Sequence, residues 1–251
     1  MTLRHALLAA LMGCIVSLAN GAELSVLSGG AIEPGLKPVV EAFQAATGHT
    51  VRVTFNPAPQ ITSRIEAGEA WDVVIAPAAA LDAFARGAKV GTERAPVGRV
   101  GLGVAVRPGA PLPEIGDAEG VKRSILEADS IVFNRASTGL VVEAMLRKMG
   151  IDQQVAARTT RYPDGASVME HLLRGTGREV GFGAITEILL FKDRGLRLVG
   201  PLPPGLQVET TYVGALPNAG SRSDAARLLL THLQSPDSLQ RFAGAGIDAP
   251  R

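Results

Sequence analysis

Leu24-Ser-Val-Leu-Ser-Gly-Gly-Ala-Ile-Glu-Pro34, running on into Gly35-Leu-Lys-Pro-Val-Val-Glu-Ala-Phe-Gln-Ala-Ala-Thr47, is the stretch that decides the fold of this chain. An apolar strand over 24–27 stops at Ser28-Gly29-Gly30, and an amphipathic helix follows over 37–47. Such a junction leaves the first-turn N–H groups of the helix without intrahelical partners, at the positive end of its dipole. It therefore suits an anion. Two further junctions of this kind lie at 134–139 and 162–167. Helix starts converging on one point would hold an oxyanion or a carboxylate with neither metal nor cofactor.

Outward from this stretch, short apolar strands alternate with helix-like segments. Strands over 51–55 and 72–75 precede helices over 61–67 and 79–86, and Gly48, Gly68 and Gly87 stand at the helix ends. The strands are continuous apolar runs rather than alternating ones, as in a parallel sheet covered on both faces. A strand over 100–106 is followed by a loop with three prolines over 108–113, and the alternation then restarts. Strands are expected at 130–133, 157–162, 180–185, 196–199 and 208–216, and helices at 138–149, 166–174, 186–193, 222–234 and 236–243.

The two α/β blocks read as two lobes, each a mostly parallel sheet flanked by helices, with crossings near 97–103 and 207–213 serving as the hinge. Residues 22–98 and 212–251 would form one lobe and 99–211 the other. A single doubly wound domain is the competing arrangement of the same elements.

The N-terminus reads as an address. Arg4 and His5 precede a 13-residue apolar run over 6–18 that is too short to span a bilayer and fits a secretory leader. Cleavage after Gly21 would deliver the mature protein to the periplasm. The alternative is a lipoprotein signal at Leu11-Met-Gly-Cys14, with the apolar run continuing past the cysteine. Of the 25 basic residues the leader holds only Arg4, so the mature chain carries 24 acidic residues against as many basic ones. Without a net basic field, and with 4% aromatic residues, the chain is unsuited to nucleic acid or an anionic membrane. Its anion recognition must be local, and a monomer is expected.

The candidate ligand-binding residues follow from the junctions. Ser28, Gly29, Gly30 and Ala31 end the first strand. Asn56-Pro-Ala-Pro-Gln60 offers the Ala58–Gln60 turn, with Pro59 stiffening it, and leads into a helix carrying Arg64. In Asn134-Arg-Ala-Ser-Thr-Gly139, Ser137 or Thr138 can cap a helix and Arg135 can clamp a carboxylate bidentately. Tyr162 can reach a ligand with its hydroxyl. Each of these segments also has a plainer reading as a turn or cap. The four histidines are not spaced as a metal set, and nucleophile-elbow and phosphate-loop motifs are absent, so no metal or cofactor is expected.

Ile65-Glu-Ala-Gly-Glu-Ala-Trp-Asp-Val-Val-Ile75, the helix start at 136–139, Val180-Gly-Phe-Gly183 and Val199-Gly-Pro-Leu-Pro203 together resemble the periplasmic molybdate-binding-like solute-binding proteins of ABC importers. The resemblance spans essentially the whole mature chain. It implies a two-lobed type II binding protein that closes on a small anion and presents it to an inner-membrane permease. The sequence departs from the oxyanion binders of that family. Gly30-Ala31-Ile32 and Pro57-Ala58-Pro59 replace their serine-bearing segments, which with Arg64 and Arg135 turns the expectation toward a carboxylate. A neighbouring branch includes aconitate isomerase, a periplasmic enzyme. For that chemistry Glu33 and Glu187 are the acid–base candidates; for a receptor no catalytic residue is expected.

Overall fold

A computed structural model describes residues 21–218 and 223–250. The expected leader up to residue 20, with Cys14, lies outside the described residues. Among the described residues no helix is long and apolar enough to cross a membrane.

Strands β1 (Glu23–Gly29), β2 (Thr50–Asn56) and β3 (Val73–Pro77) are parallel, with β1 in the middle. Helices α1 (Glu33–Thr47), α2 (Ala58–Glu66) and α3 (Ala78–Arg86) follow them in turn. A long strand β4 (Val90–Val106) leads to α4 (Ala118–Glu127), β5 (Ser130–Asn134), α5 (Ser137–Lys148) and the short α6 (Asp152–Val155). Then come β6 (Thr159–Tyr162), α7 (Gly165–Arg174), β7 (Glu179–Ala184), α8 (Ile185–Leu189), β8 (Arg197–Pro201), β9 (Glu209–Pro217), α9 (Asp224–His232) and α10 (Pro236–Gly244).

The strand order is β2-β1-β3-β9-β4-β7-β5-β6, with β8 also on β4. The first part of β4 pairs antiparallel with β9, and its last part with β7 and β8. Two long antiparallel strands thus join two α/β lobes. The interior follows from strand alternation. In β1 and β3, Val26, Val73 and Ile75 enter one core cluster while Leu27, Val74 and Ala76 enter another. In β5, Ile131 and Phe133 face one cluster and Val132 faces a second. Both faces of each sheet are covered, which accounts for the uninterrupted apolar runs.

The structure corrects three local expectations. Helix α1 begins at Glu33 rather than at residue 37, after a 3-10 turn over Gly30–Ile32. Pro34 is tolerated because its missing N–H would have been an orphan of the first turn. Helix α4 was not expected; Asp117 caps it, its carboxylate accepting the Gly120 N–H at 2.7 Å. Strand β4 starts ten residues before the expected strand at 100. Pro96, Gly98, Gly101 and Gly103 hide it, yet Gly98 is required: a Cβ there would lie 2.5 Å from Ile247 and 2.7 Å from the Asp248 carbonyl. At that point the C-terminal segment joins β4, Arg99 and Asp248 exchanging backbone hydrogen bonds of 2.8 and 2.9 Å.

Candidate functional site

Within each lobe the parallel strands place their C-terminal ends on one edge, and ligands of open α/β sheets gather there. The ends of β1, β2, β3, β5 and β6 (Gly29, Asn56, Pro77, Asn134 and Tyr162) all border one cavity of about 600 Å³. The N-termini of α2, α5 and α7, and the 3-10 turn before α1, also reach its wall, through Ala58, Ser137, Gly165 and Gly30. The converging helix starts supply N–H donors and positive dipole ends from both lobes.

The start of α5 is the most tightly built. Asn134 is nearly fully buried, and its Oδ1 accepts the N–H groups of Ala136 and Gly139, both at 3.0 Å. That fixes the turn and leaves the first-turn N–H groups of Ser137 and Thr138 at the cavity wall. A Cβ at Gly139 would come 1.6 Å from the Asn134 carbonyl, so only glycine fits. Tyr212, on β9, is a buried phenol on the same wall and in contact with Gly29, where a Cβ would meet its ring at 2.7 Å.

Glu187 is the central titratable group. It follows β7 at the start of α8, is half-buried, and lies between Gly30 of one lobe and Gly165 of the other. Loss of water around it pushes its carboxyl up to about 7; the negative charges of Asp164 and Glu33 add to this, and a backbone hydrogen bond at Ala184 partly opposes it. Tyr212 is raised well above an ordinary phenol, by burial first and then by the charge of Glu187. Beside Glu187, the Thr186 hydroxyl donates to the Ala31 carbonyl at 2.7 Å in a buried bond that ties α8 to the turn before α1.

The other carboxylates on the wall are engaged. Glu33 pairs with Lys37 at 2.5 Å, Asp164 caps α7 by accepting the Ser167 N–H at 2.7 Å, and Glu170 pairs with Arg194. Among the described residues lining the cavity, Arg174 is the single cation, at its exposed rim. Among the described residues no group of three His, Cys, Asp or Glu side chains is arranged to hold a metal ion.

Of the residues singled out from the sequence, the structure brings Gly29, Gly30, Ala31, Ala58, Gln60, Ser137, Thr138, Tyr162, Glu33 and Glu187 to the cavity. It does not bring Ser28, Pro59, Arg64 or Arg135 there. Ser28 is fully buried and bonds the Gly29 carbonyl, and Pro59 is exposed on α2. Arg64 turns to Glu69 at 2.5 and 2.6 Å and to Asn56 at 2.6 Å; Arg135 extends into solvent. Asn134, Asp164, Arg174 and Tyr212 were not anticipated. Asp164 had a visible signal as the cap of an Asp-Gly-Ala-Ser helix start, whereas nothing local marked Tyr212.

The sequence matches the model of the bacterial extracellular solute-binding proteins over residues 24–248. An aconitate isomerase from a Pseudomonas species is 29% identical over 231 residues, 89% of this chain and 87% of that protein. The periplasmic molybdate-binding protein of Azotobacter vinelandii has a TM-score of 0.75 at 16% identity, over 91% of this chain and 100% of that one. The sulfate-binding protein SubI of Mycobacterium tuberculosis has a TM-score of 0.73 at 17% identity, over 91% of this chain and 87% of that one. At these identities the two structures speak for the two-lobed type II fold alone. The chain belongs to the bacterial extracellular solute-binding protein family.

Proposed function

We propose that this protein binds a small unsaturated polycarboxylate of the aconitate type in the cleft between its lobes and isomerises it by proton transfer in the periplasm. The observation that carries the reading is Glu187, a carboxyl held near neutrality in a cleft ringed by helix N-termini. Simple capture of an anion has no use for such a group, whereas moving a proton beside a carboxylate requires one. Residues 22–98 with 212–251 and residues 99–211 act as the closing lobes, hinged at the crossing strands.

In the proposed reaction the substrate carboxylates rest on the helix starts, with Arg174 steering them at the rim. The Glu187 carboxylate takes a proton from the methylene carbon. The electron pair moves along the three-carbon unit, the double bond shifts, and the same carboxyl returns the proton to the former alkene carbon. The negative charge spread over the intermediate lies among N–H donors that are already fixed. The similarity to an aconitate isomerase over most of both chains supports this choice of substrate.

The second reading is a receptor that delivers an unchanged carboxylate to an ABC permease. It is favoured by the hinge-like pair of crossing strands and by the family. Incubation with cis- or trans-aconitate in deuterium oxide separates the two. The isomerase reading expects interconversion with deuterium entering the methylene position, abolished by Glu187→Gln. Tight binding with neither conversion nor exchange supports the receptor.

A further inference from the structure

From the cleft wall a chain of hydrogen bonds runs into the interior of the second lobe. Tyr162 lines the cavity and its hydroxyl lies 2.8 Å from His171 Nδ1, while His171 Nε2 lies 3.0 Å from Glu179 Oε1. Glu179 is buried, and its second carboxyl oxygen has no hydrogen-bond partner among the described residues. It packs against Gly175, where a Cβ would fall 1.5 Å from that oxygen, so the backbone there is shaped around the carboxyl.

Glu179 can only accept while ionised, so His171 presents Nε2–H to it and the state of Nδ1 decides what Tyr162 does. With neutral His171, Nδ1 accepts the phenolic proton and Tyr162 turns a lone pair to the cavity. With protonated His171, Nδ1–H donates to the phenol oxygen, and the O–H is released toward the cavity. A ligand carboxylate only accepts hydrogen bonds, and therefore selects the second arrangement. The buried Glu179 carboxyl, with one oxygen on His171 Nε2 and the other without a partner among the described residues, is placed to be the counter-ion that an imidazolium here needs.

We propose that binding of a carboxylate in the cleft is coupled to uptake of a proton by His171, which with Glu179 acts as a positioning pair that turns the Tyr162 hydroxyl into a donor to the ligand. The inference rests on the reading that a carboxylate occupies this cleft, and makes Tyr162 a sensor of that class of ligand. Several other charged groups lie on the elements packed around α7. Arg161 on β6 is paired with Glu143, and Glu187 stands on α8; on α7 itself are Arg174 and Glu170, the latter held by Arg194. Of these Glu187 is the one that would also take up a proton near neutrality, so the test removes it.

Calorimetric titration of the mature protein with trans-aconitate, in buffers of different ionisation enthalpy, counts the protons taken up. In Glu187→Gln, uptake is expected to persist. It is expected to vanish when Tyr162→Phe or His171→Gln is added, with affinity roughly tenfold weaker for loss of one hydrogen bond to a charged group. Unchanged uptake in both double variants overturns the inference while leaving the functional reading intact. Failure of the unaltered protein to bind trans-aconitate or any other carboxylate overturns both. An independent readout on the unaltered protein is the side-chain nitrogen resonance of His171. Movement to the imidazolium position on adding trans-aconitate supports the coupling; a ligand-saturated spectrum with neutral His171 overturns it.

Discussion

The Glu187 carboxyl rests on the backbone of Gly165, so closely that a β-carbon at Gly165 would lie 2.1 Å from Oε2 and 2.5 Å from Cδ. The first residue of α7 in the second lobe thereby sets the position of the group on which the proposed chemistry depends. It is a helical glycine whose identity is decided by space, not by its own dihedral angles.

Gly165→Ala is accordingly expected to displace Glu187. Helix propensity at that site favours alanine, so the net change in stability should stay within about 1 kcal/mol. Displacing the reacting carboxyl by about an ångström should lower kcat by roughly a hundredfold. Thermal unfolding together with turnover of cis-aconitate checks both halves, and full activity in the variant would remove Glu187 from the mechanism.

The raised carboxyl of Glu187 has a consequence for stability, with a definite sign. From 4.5, its ordinary value, to about 7 in the folded protein, the unfolded chain has released a proton that the folded one keeps. Stability therefore falls as pH rises through this window and is lowest above it. Glu187→Gln removes the penalty, and with cleft water screening part of it the variant should gain about 1–2 kcal/mol above neutrality and little at acid pH. Melting curves of the two proteins across the window should converge at the acid end and separate at the alkaline end.

In the proposed reaction the same group sets the pH dependence of turnover. As the proposed base it must be ionised in the free protein, so kcat/KM of a His171→Gln variant, in which binding takes up no proton at that position, should rise with pH to a plateau above about 7. A profile that instead declines through neutrality would mean that the protonated carboxyl is the working form.

Arginine substitutions should divide by location. Arg174 lines the cavity, whereas Arg64 is tied to Glu69 and Asn56 and Arg135 reaches solvent. Arg174→Ala should weaken carboxylate binding roughly tenfold. Arg135→Ala should change it by less than about twofold, since an exposed charge of this kind contributes about 0–1 kcal/mol. Binding titrations at constant ionic strength make the comparison.

Thr186→Val deletes the buried bond from Thr186 to the Ala31 carbonyl, a contact between the lobes. An unsatisfied buried carbonyl costs about 1–3 kcal/mol, and opening the lobes would let water reach it. The variant should therefore populate an open form, seen as a larger radius of gyration by small-angle scattering without ligand. Its ligand affinity should drop by the fraction of closed molecules lost. Unchanged scattering would mean that this bond does not hold the closed form.

Much of the architecture was legible in the sequence, because strand runs such as Val73–Pro77 are apolar on both faces and glycines such as Gly48 mark helix ends. The junctions that end β1, β2, β5 and β6 were legible too, since a strand followed at once by a cap and an amphipathic helix is a local pattern. Strand β4 was only half visible. Its glycines and Pro96 break the local pattern; Gly98 is there because the C-terminal segment lies against it, and Gly103 because Ile185, Ile188 and Leu198 do.

Side-chain direction was not legible. Arg64 and Arg135 stood beside the right turns, yet the rotation of α2 and the end of β5 send them elsewhere, while Arg174, at the far end of α7, reaches the rim. Local pattern was enough to show that parallel strands in each lobe deliver helix N-termini to one edge of their sheet, because hydrophobic periodicity and capping act over a few residues. Packing between elements far apart in the chain is what seats Glu187 against Gly165 and joins Tyr162, His171 and Glu179 in one chain of hydrogen bonds. Desolvation and hydrogen bonding of those groups depend on neighbours from other elements, and become defined only when the sheets pack.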